Sequence, residues 1–462
     1  MKRMFPARQL FNRRLLNRLF FNRMLLALSL ALLVAGCASV QVSGPKAHVR
    51  SAAVAEAAQR AAQDATLAGP ARRDNADAIS RLLATLDDAT LAKEAAATPA
   101  EEPLYNFLGR ALIARGLPLP HPFARGDWRF DAGDRPPADR DGYRPPQHLA
   151  VLLPLTGGLA VAASPVRDGF LAAYYGESRR RPELRFYDTA GGVQAAYDKA
   201  VAEGNDFVVG PLGRDEVTTL FSRASLPVPV LALNRGEARP PAGNASFALS
   251  PEDEGIAAAD SLYDNGARHV LLVAGGEDAQ RRAMDAFRET FAARGGAIAG
   301  VANEATPDFA AFAAKPGGVD AVFIALKGSS ARAVVPRLAL AGLAMVPKLA
   351  TSQIVSGTGK DAGDAALDGI RYPTEAWGVG GTPGLPPQAT VAANLPTARG
   401  AAAKLFAFGY DAWRVCAWLE YLATANGAEL PGATGTLRID GFGNVLRTPA
   451  WAVFHADANA GG

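Results

Sequence analysis

Histidine, cysteine and long apolar runs are all scarce in this 462-residue chain, and each scarcity removes a class of function. The five histidines, His48, His121, His148, His269 and His455, lie far apart, and none has the i, i+4 partner of a helix-borne metal site. Apart from Cys37 there is only Cys416, set between Trp413 and Trp418 in a helical pattern. A thiol there reads as a small core residue, not a nucleophile. No Gly-x-Ser-x-Gly elbow is present to seat a hydrolase serine. Gly357-Thr358-Gly359-Lys360-Asp361-Ala362 fits a loose dinucleotide pattern, but it opens no helix, and Ile354 stands where a phosphate-binding loop needs its first glycine. It reads as a loop. We therefore expect no catalytic residue, no metal and no cofactor.

Acidic residues are missing altogether from residues 1–36, which hold seven of the 48 Lys and Arg. The remainder carries 41 bases against 45 acids, so the formal charge of +3 belongs to that first segment and the rest is about −4. With no basic tract in that remainder, a nucleic-acid partner is not expected. Residues 24–35 form an apolar run of 12 residues, short of the roughly 20 that span a bilayer. Preceded by bases and followed by small residues, the run reads as a signal-peptide core, so residues 1–36 are expected to be a signal peptide.

Val34-Ala35-Gly36-Cys37-Ala38-Ser39 resembles the bacterial lipobox; without that resemblance it is an ordinary signal-peptidase site. The resemblance implies acylation of Cys37, and Ala38, where an Asp would retain the protein, implies the outer membrane. Residues 37–116 then divide into a tether and a short helical region rich in Ala, Leu, Glu and Arg, with Ile79, Leu82, Leu83 and Leu86 at helical spacing. Large apolar residues are few here, so these helices are expected to pack loosely, extend as a stalk or stay partly mobile. Residues 117–147, with seven prolines, read as a linker with little to bury, although Trp128 and Phe130 could dock onto a neighbouring surface.

From His148 onward short apolar runs alternate with helical patterns. The runs 149–153, 184–187, 207–209 and 228–231 lack polar alternation, as expected of parallel strands covered on both faces. A second set runs from about Phe247 through strands at 269–274, 319–326, 347–351 and 369–372. Ser164-Pro165 and Ser250-Pro251 read as helix starts, with Ser as cap and Pro at the first helical position. A helix through Leu338 and Leu340, a long helix at 405–425 and a terminal hairpin with a Gly-rich turn complete the pattern. The fold class is therefore α/β: two lobes of parallel sheet flanked by helices over 148–455, behind a short α-helical region. Ligands of such sheets meet the loops at the carboxyl ends of the strands. The candidate cleft residues are Thr156, Gly157, Gly210, Pro211, Asn234, Lys327 and Ser352, with Glu375 beside Trp377 suited to neutralising a ligand amine.

Leu153-Pro154-Leu155-Thr156-Gly157, Arg167-Asp168-Gly169-Phe170, Val209-Gly210-Pro211-Leu212 and Gly432-Ala433-Thr434-Gly435-Thr436-Leu437 resemble the periplasmic binding protein type I fold. Within it, residues 166–174, Phe186-Tyr187-Asp188-Thr189, 202–212 and 229–234 resemble the LpoA family of outer-membrane lipoprotein activators of penicillin-binding proteins. The resemblance implies a regulator that is not an enzyme, anchored to the outer membrane and docking a class A penicillin-binding protein through residues 148–455. Members with a large N-terminal domain carry a tetratricopeptide-like array, for which this chain has room for only about 100 residues of helix and linker. The competing expectation is a solute receptor of an ABC importer, which would need a complete amino-acid clamp in the cleft.

Overall fold

The N-terminal helices are built on an own apolar cluster and are docked, not free. The computed structural model describes residues 50–456 apart from residues 68, 116, 124–132, 134, 360 and 426. Cys37, the expected signal peptide, Trp128 and Phe130 thus lie outside the described residues. Helices α1 (Ala52–Gln63), α2 (Gly69–Ala84), α3 (Asp88–Ala97) and α4 (Pro103–Ala114) come first. Ser51 and Asp87 start α1 and α3 by accepting the backbone N–H of Val54 and Thr90. Ile79, Leu83, Leu91, Leu104, Leu108 and Leu112 close around Val54. Arg115 caps the end of α2, donating to the carbonyls of Leu83, Ala84 and Leu86. A stalk is excluded for this region. Asp64 pairs with Arg239, Arg110 lies 3.3 Å from Asp440, Phe107 packs on Phe442 at 5.0 Å and Arg294 reaches Asp88 at 3.3 Å.

The supposed linker also buries more than its composition suggests. Tyr143 is 1% exposed, edge-on to Trp418 at 4.8 Å, and donates its hydroxyl to the carbonyl of Arg180. Arg144 donates its backbone N–H to Ala417 and grips Glu420 with its guanidinium. Few aromatics suffice when each meets a long buried helix. Tyr143→Phe should lose the hydroxyl contact alone and cost about 1 kcal/mol in urea denaturation; no change would mean that water replaces the bond.

The first lobe contains β1 (His148–Leu153), α5 (Ala160–Gly176), β2 (Glu183–Asp188), α6 (Val193–Ala202), β3 (Phe207–Val209), α7 (Arg214–Phe221), β4 (Val230–Ala232) and β5 (Ala245–Phe247). The second contains α8 (Pro251–Asp264), β6 (His269–Ala274), α9 (Asp278–Ala293), β7 (Ala297–Ala302), α10 (Ala310–Ala313), β8 (Ala321–Ala325), α11 (Gly328–Leu338), β9 (Lys348–Ala350) and β10 (Arg371–Thr374). The chain then returns through α12 (Ala376–Val379), α13 (Gln388–Asn394), α14 (Ala402–Thr424), β11 (Leu430–Pro431), β12 (Thr436–Ile439) and β13 (Asn444–Thr448). It ends with β14 (Ala450–Val453) in the second lobe. The sheets run β11-β12-β13-β5-β4-β3-β1-β2 and β14-β10-β9-β8-β6-β7. Strands β1 to β5 pair in parallel, as do β6 to β9, in keeping with the unbroken apolar runs.

Several boundaries differ from expectation. Phe247 lies in β5, inside the first sheet between β4 and β13, and does not open the second. Strand β5 is only three residues, and β7 is a half-exposed edge of Ala, Gly, Ile and Val, so neither makes an apolar run. Helix α5 starts at Ala160, which puts Pro165 inside it and Ser164 in no capping role. The carbonyl that Pro165 leaves without a helical partner belongs to Val161, on an exposed first turn. Ser250 does precede a helix with Pro at its first position, but its hydroxyl bonds Glu252 rather than a backbone N–H. The helix expected through Leu338 and Leu340 is present: α11 passes at Leu338 into a π-helical turn, Ala339–Leu343, in which Leu340 is 89% exposed.

The family-like motif at 432–437 has a structural explanation. Asp411, on α14, is fully buried and accepts from the backbone N–H groups of Ala433 and Thr434 and the Thr434 hydroxyl. A Cβ on Gly432 would lie 2.6 Å from that carboxylate, and one on Gly435 2.1 Å from the carbonyl of Thr448. Burial pushes the Asp411 carboxyl up to about 6 while its three donors pull it back. Asp411→Asn keeps the shape but replaces one acceptor with a donor, and should cost about 1–3 kcal/mol. Equal urea midpoints for the two proteins would refute the assignment.

Candidate functional site

Most of the candidate side chains in the loops after the strands are engaged in holding their own loops. Thr156 is exposed, and its hydroxyl donates to Asp188 at 2.6 Å; the same carboxylate accepts the N–H groups of Leu155 and Ala190. Those donors hold the Asp188 carboxyl below its usual range. Gly157 turns the loop with φ of +78°. Gly210 and Pro211 are both buried and joined by a cis peptide. A Cβ on Gly210 would come within 2.0 Å of the Leu152 carbonyl, so its need for glycine is structural. Asn234 donates to the Leu212 carbonyl, and its own carbonyl accepts the Ser246 hydroxyl. Lys327 leads into α11 and pairs with Glu277 at 2.6 Å. Glu375 leads into α12 and has one buried oxygen, Oε1, without a partner. Trp377, beside it, faces the first-lobe core, stacked on Phe406 at 5.3 Å, so the pair forms no aromatic wall for a ligand amine.

Ser352 is the candidate that the structure places in a cross-lobe cluster. Its backbone N–H and hydroxyl both donate to Glu254, at 2.8 and 2.7 Å. Lys404, at the start of α14, donates to the same Glu254 at 2.6 Å and to Ser352 Oγ at 2.7 Å. Helix α14 belongs to the first-lobe core and α8 to the second, so this ion pair joins the lobes. Next to it, Arg235 from the loop after β4 binds Asp253 of α8 in a bidentate pair at 2.9 and 3.0 Å. Glu252, Asp253 and Glu254 all sit in the first turn of α8, where the helix dipole favours acids, and their basic partners are Arg282, Arg235 and Lys404. Burial works to raise the Glu254 carboxyl, but Lys404, Arg447 and Ser352 outweigh it, and the carboxyl is held below its usual range.

Sequence reading missed Glu254, Lys404, Arg235 and Asp253. The run Ser250-Pro251-Glu252-Asp253-Glu254 was legible as a helix start, and three consecutive acids are more than a cap needs. Their partners lie up to 150 positions away and leave no local pattern. The cavity bordered by Ser352, Glu254 and Lys404 is small, about 70 Å³, below the roughly 300 Å³ of an ordinary small-molecule pocket. Among the described residues no three His, Cys, Asp or Glu side chains converge to hold a metal.

The chain is similar to known proteins over the same part. The model of the LppC lipoprotein family matches residues 143–308 and 309–457. The penicillin-binding protein activator LpoA of Photobacterium profundum is 28% identical over 346 residues, 67% of this chain and 56% of the relative. LpoA of Vibrio cholerae is 27% identical over 352 residues, 66% of this chain and 57% of the relative. The chain thus spans little more than half the length of these relatives. Among solved structures, the LpoA C-domain of Haemophilus influenzae, a regulator of PBP1A, is matched with a TM-score of 0.59 at 22% identity, over 67% of this chain and 98% of that one. A Chromobacterium violaceum protein described as a branched-chain amino acid ABC transporter is matched with a TM-score of 0.54 at 29% identity, over 67% of this chain and 100% of that one. The LpoA C-domain match speaks for the fold alone, whereas the family model covers both lobes end to end: the chain belongs to the LppC lipoprotein family.

Proposed function

We propose that this chain is an outer-membrane lipoprotein, acylated at Cys37, that binds a class A penicillin-binding protein and stimulates its peptide cross-linking. In this reading residues 1–36 are the signal peptide, 37–116 the anchor, tether and helices, 117–147 the connection and 148–455 the docking domain. Its relatives named as activators support the partner, and the observation that carries the mode of action is the tying of the lobes. A solute receptor works by closing over its ligand. Here Lys404–Glu254 and Arg235–Asp253 bridge the lobes, and the N-terminal helices touch the first lobe through Asp64 and the second through Asp88. That favours a preformed surface over a hinged trap. Activation then requires tighter contact with the synthase's productive state than with its resting state, and about 1–3 kcal/mol of difference gives several-fold to about a hundredfold stimulation.

The test is a cross-linking assay with a purified class A penicillin-binding protein. Stimulation by the chain, lost on substituting exposed residues of 148–455 at unchanged melting temperature, is the expected result; an interface confined to residues 50–116 would overturn it. The likeness to the Chromobacterium protein favours one other reading, a solute receptor. Affinity purification after crosslinking in cells separates the two: a permease and its ATPase in place of the synthase would move the function to transport.

A further inference from the structure

We infer that the cavity between the N-terminal helices and the second lobe binds a small amphipathic anion, an alkyl chain ending in a carboxylate. The cavity is about 260 Å³ and is bounded by α2, α4, α8, α9 and the strand β13. Its walls are mainly apolar, with Leu83, Phe107, Ile113, Ile256 and Leu446 among them. Two buried polar atoms of its lining have no hydrogen-bond partner, Asp260 Oδ2 and Arg447 Nε. Asp260 is only 5% exposed, so leaving this oxygen unmatched is costly. A single water could meet one such atom but would leave the apolar wall bare; an amphipathic molecule meets both.

Charge selects the head group. Four guanidiniums, of Arg110, Arg115, Arg294 and Arg447, line the cavity; Arg110 faces Asp440, Arg115 and Arg294 are held by Asp88, Asp260 and Asp264, and the lining Asp253 is held by Arg235, so among the described residues Arg447 is the lining guanidinium with no carboxylate at ion-pairing distance. An ammonium would face the Arg447 guanidinium as a like charge, whereas a carboxylate supplies its missing countercharge. Arg115 and Arg294 have side chains 4% and 5% exposed and are fixed on Asp88, Asp260, Asp264 and backbone carbonyls, so they act as rigid wall. The ligand carboxylate would accept from Arg447 Nε and share a proton with Asp260 Oδ2.

That proton makes binding sensitive to pH. The charges around Asp260 are Arg294 at the end of α9, Arg115 after α4, Asp264 one turn further on α8, Asp88, which Arg115 and Arg294 share, and, lining the same cavity, Arg110 on α4, Asp253 on α8 and Arg447 on β13. Burial pushes Asp260 up to about 7, with the two arginines opposing and Asp264 assisting. Below that value the acid donates to the ligand; above it two anions face each other, so affinity falls as pH rises.

The probe is octanoate, with octylamine and octanol as controls, titrated calorimetrically into residues 37–462 carrying Cys37→Ser, which include the whole compact unit from Arg50 onward. One-to-one octanoate binding about tenfold tighter at pH 6 than at pH 8 is expected, following the protonated fraction of Asp260. Ala111→Trp, which fills the cavity, should abolish it, and Asp260→Asn should retain binding but remove its pH dependence. If Ala111→Trp does not fold, the Asp260→Asn slope alone decides. Preference for octylamine or octanol, absence of octanoate binding, or octanoate binding that keeps its pH slope in Asp260→Asn would each overturn the inference.

Discussion

Gly409→Leu is expected to prevent folding of the first lobe, with loss of cooperative unfolding and a cost of about 4 kcal/mol or more. Helices α5 and α14 cross so closely that a Cβ on Gly409 would lie 1.9 Å from the Val166 carbonyl. The contact is reciprocal, because a Cβ on Gly169 would lie 1.9 Å from the Phe406 carbonyl. Both obstacles are backbone, so no rotamer change relieves them and the helices must separate. Separation would open the layer where Phe170 meets Trp413 edge-on at 5.8 Å. Gly169 lies in the Arg167-Asp168-Gly169-Phe170 motif, so that motif's glycine is required by packing. Gly409→Ala and Gly169→Ala should each destabilise by a smaller but clear margin in urea denaturation. Native-like midpoints for both alanine variants would show that the helices can part without loss.

Lys404→Met is expected to cost about 3–5 kcal/mol, because it leaves the buried Glu254 carboxylate without its countercharge. Ser352 still donates twice to Glu254, which keeps the value within that range. In Lys404→Met/Glu254→Gln the second change should cost less than it does alone, giving a positive coupling in a double-mutant cycle. The pH dependence has a definite sign. The Glu254 carboxyl is held below the ordinary glutamate value of 4.5, so its contribution is present above that value and is lost as pH falls through the lower folded value. The gap between Lys404→Met and the parent should therefore narrow in acid, as the carboxyl takes up a proton. Hydrogen exchange should speed up at the first turn of α8 and at 351–355 before it does elsewhere. A gap that is small at pH 7, or that widens in acid, would rule out Lys404 as the partner that keeps Glu254 ionised.

Much of the fold was legible locally. Leu149 to Leu153, Phe207 to Val209 and His269 to Ala274 are strands because unbroken apolar runs between turns suit parallel strands buried on both faces. Asn265-Gly266 stops α8 where it should, since Gly266 takes φ of +93°. What depends on distant partners was not legible. The small residues of β5 and β7 become strands because neighbouring strands offer them hydrogen bonds, and no side-chain period marks that. Tyr143 looked like part of a linker until α14 supplied Trp418 beneath it.

By itself, then, the sequence determined the alternation of strand and helix, the positions of the turns and the family likeness carried by short motifs around Gly169, Gly210 and Gly432. All of these rest on residues within a few positions of one another. Only the tertiary structure decided that the N-terminal helices dock instead of trailing, that Glu254 meets Lys404 across the lobes, and that the candidate hydroxyls and amides of the cleft are already bonded at home. Each of those outcomes is a pairing of charges or surfaces far apart in the chain. Coulombic and packing energies depend on separation in space, and until the chain is folded nothing brings such partners together.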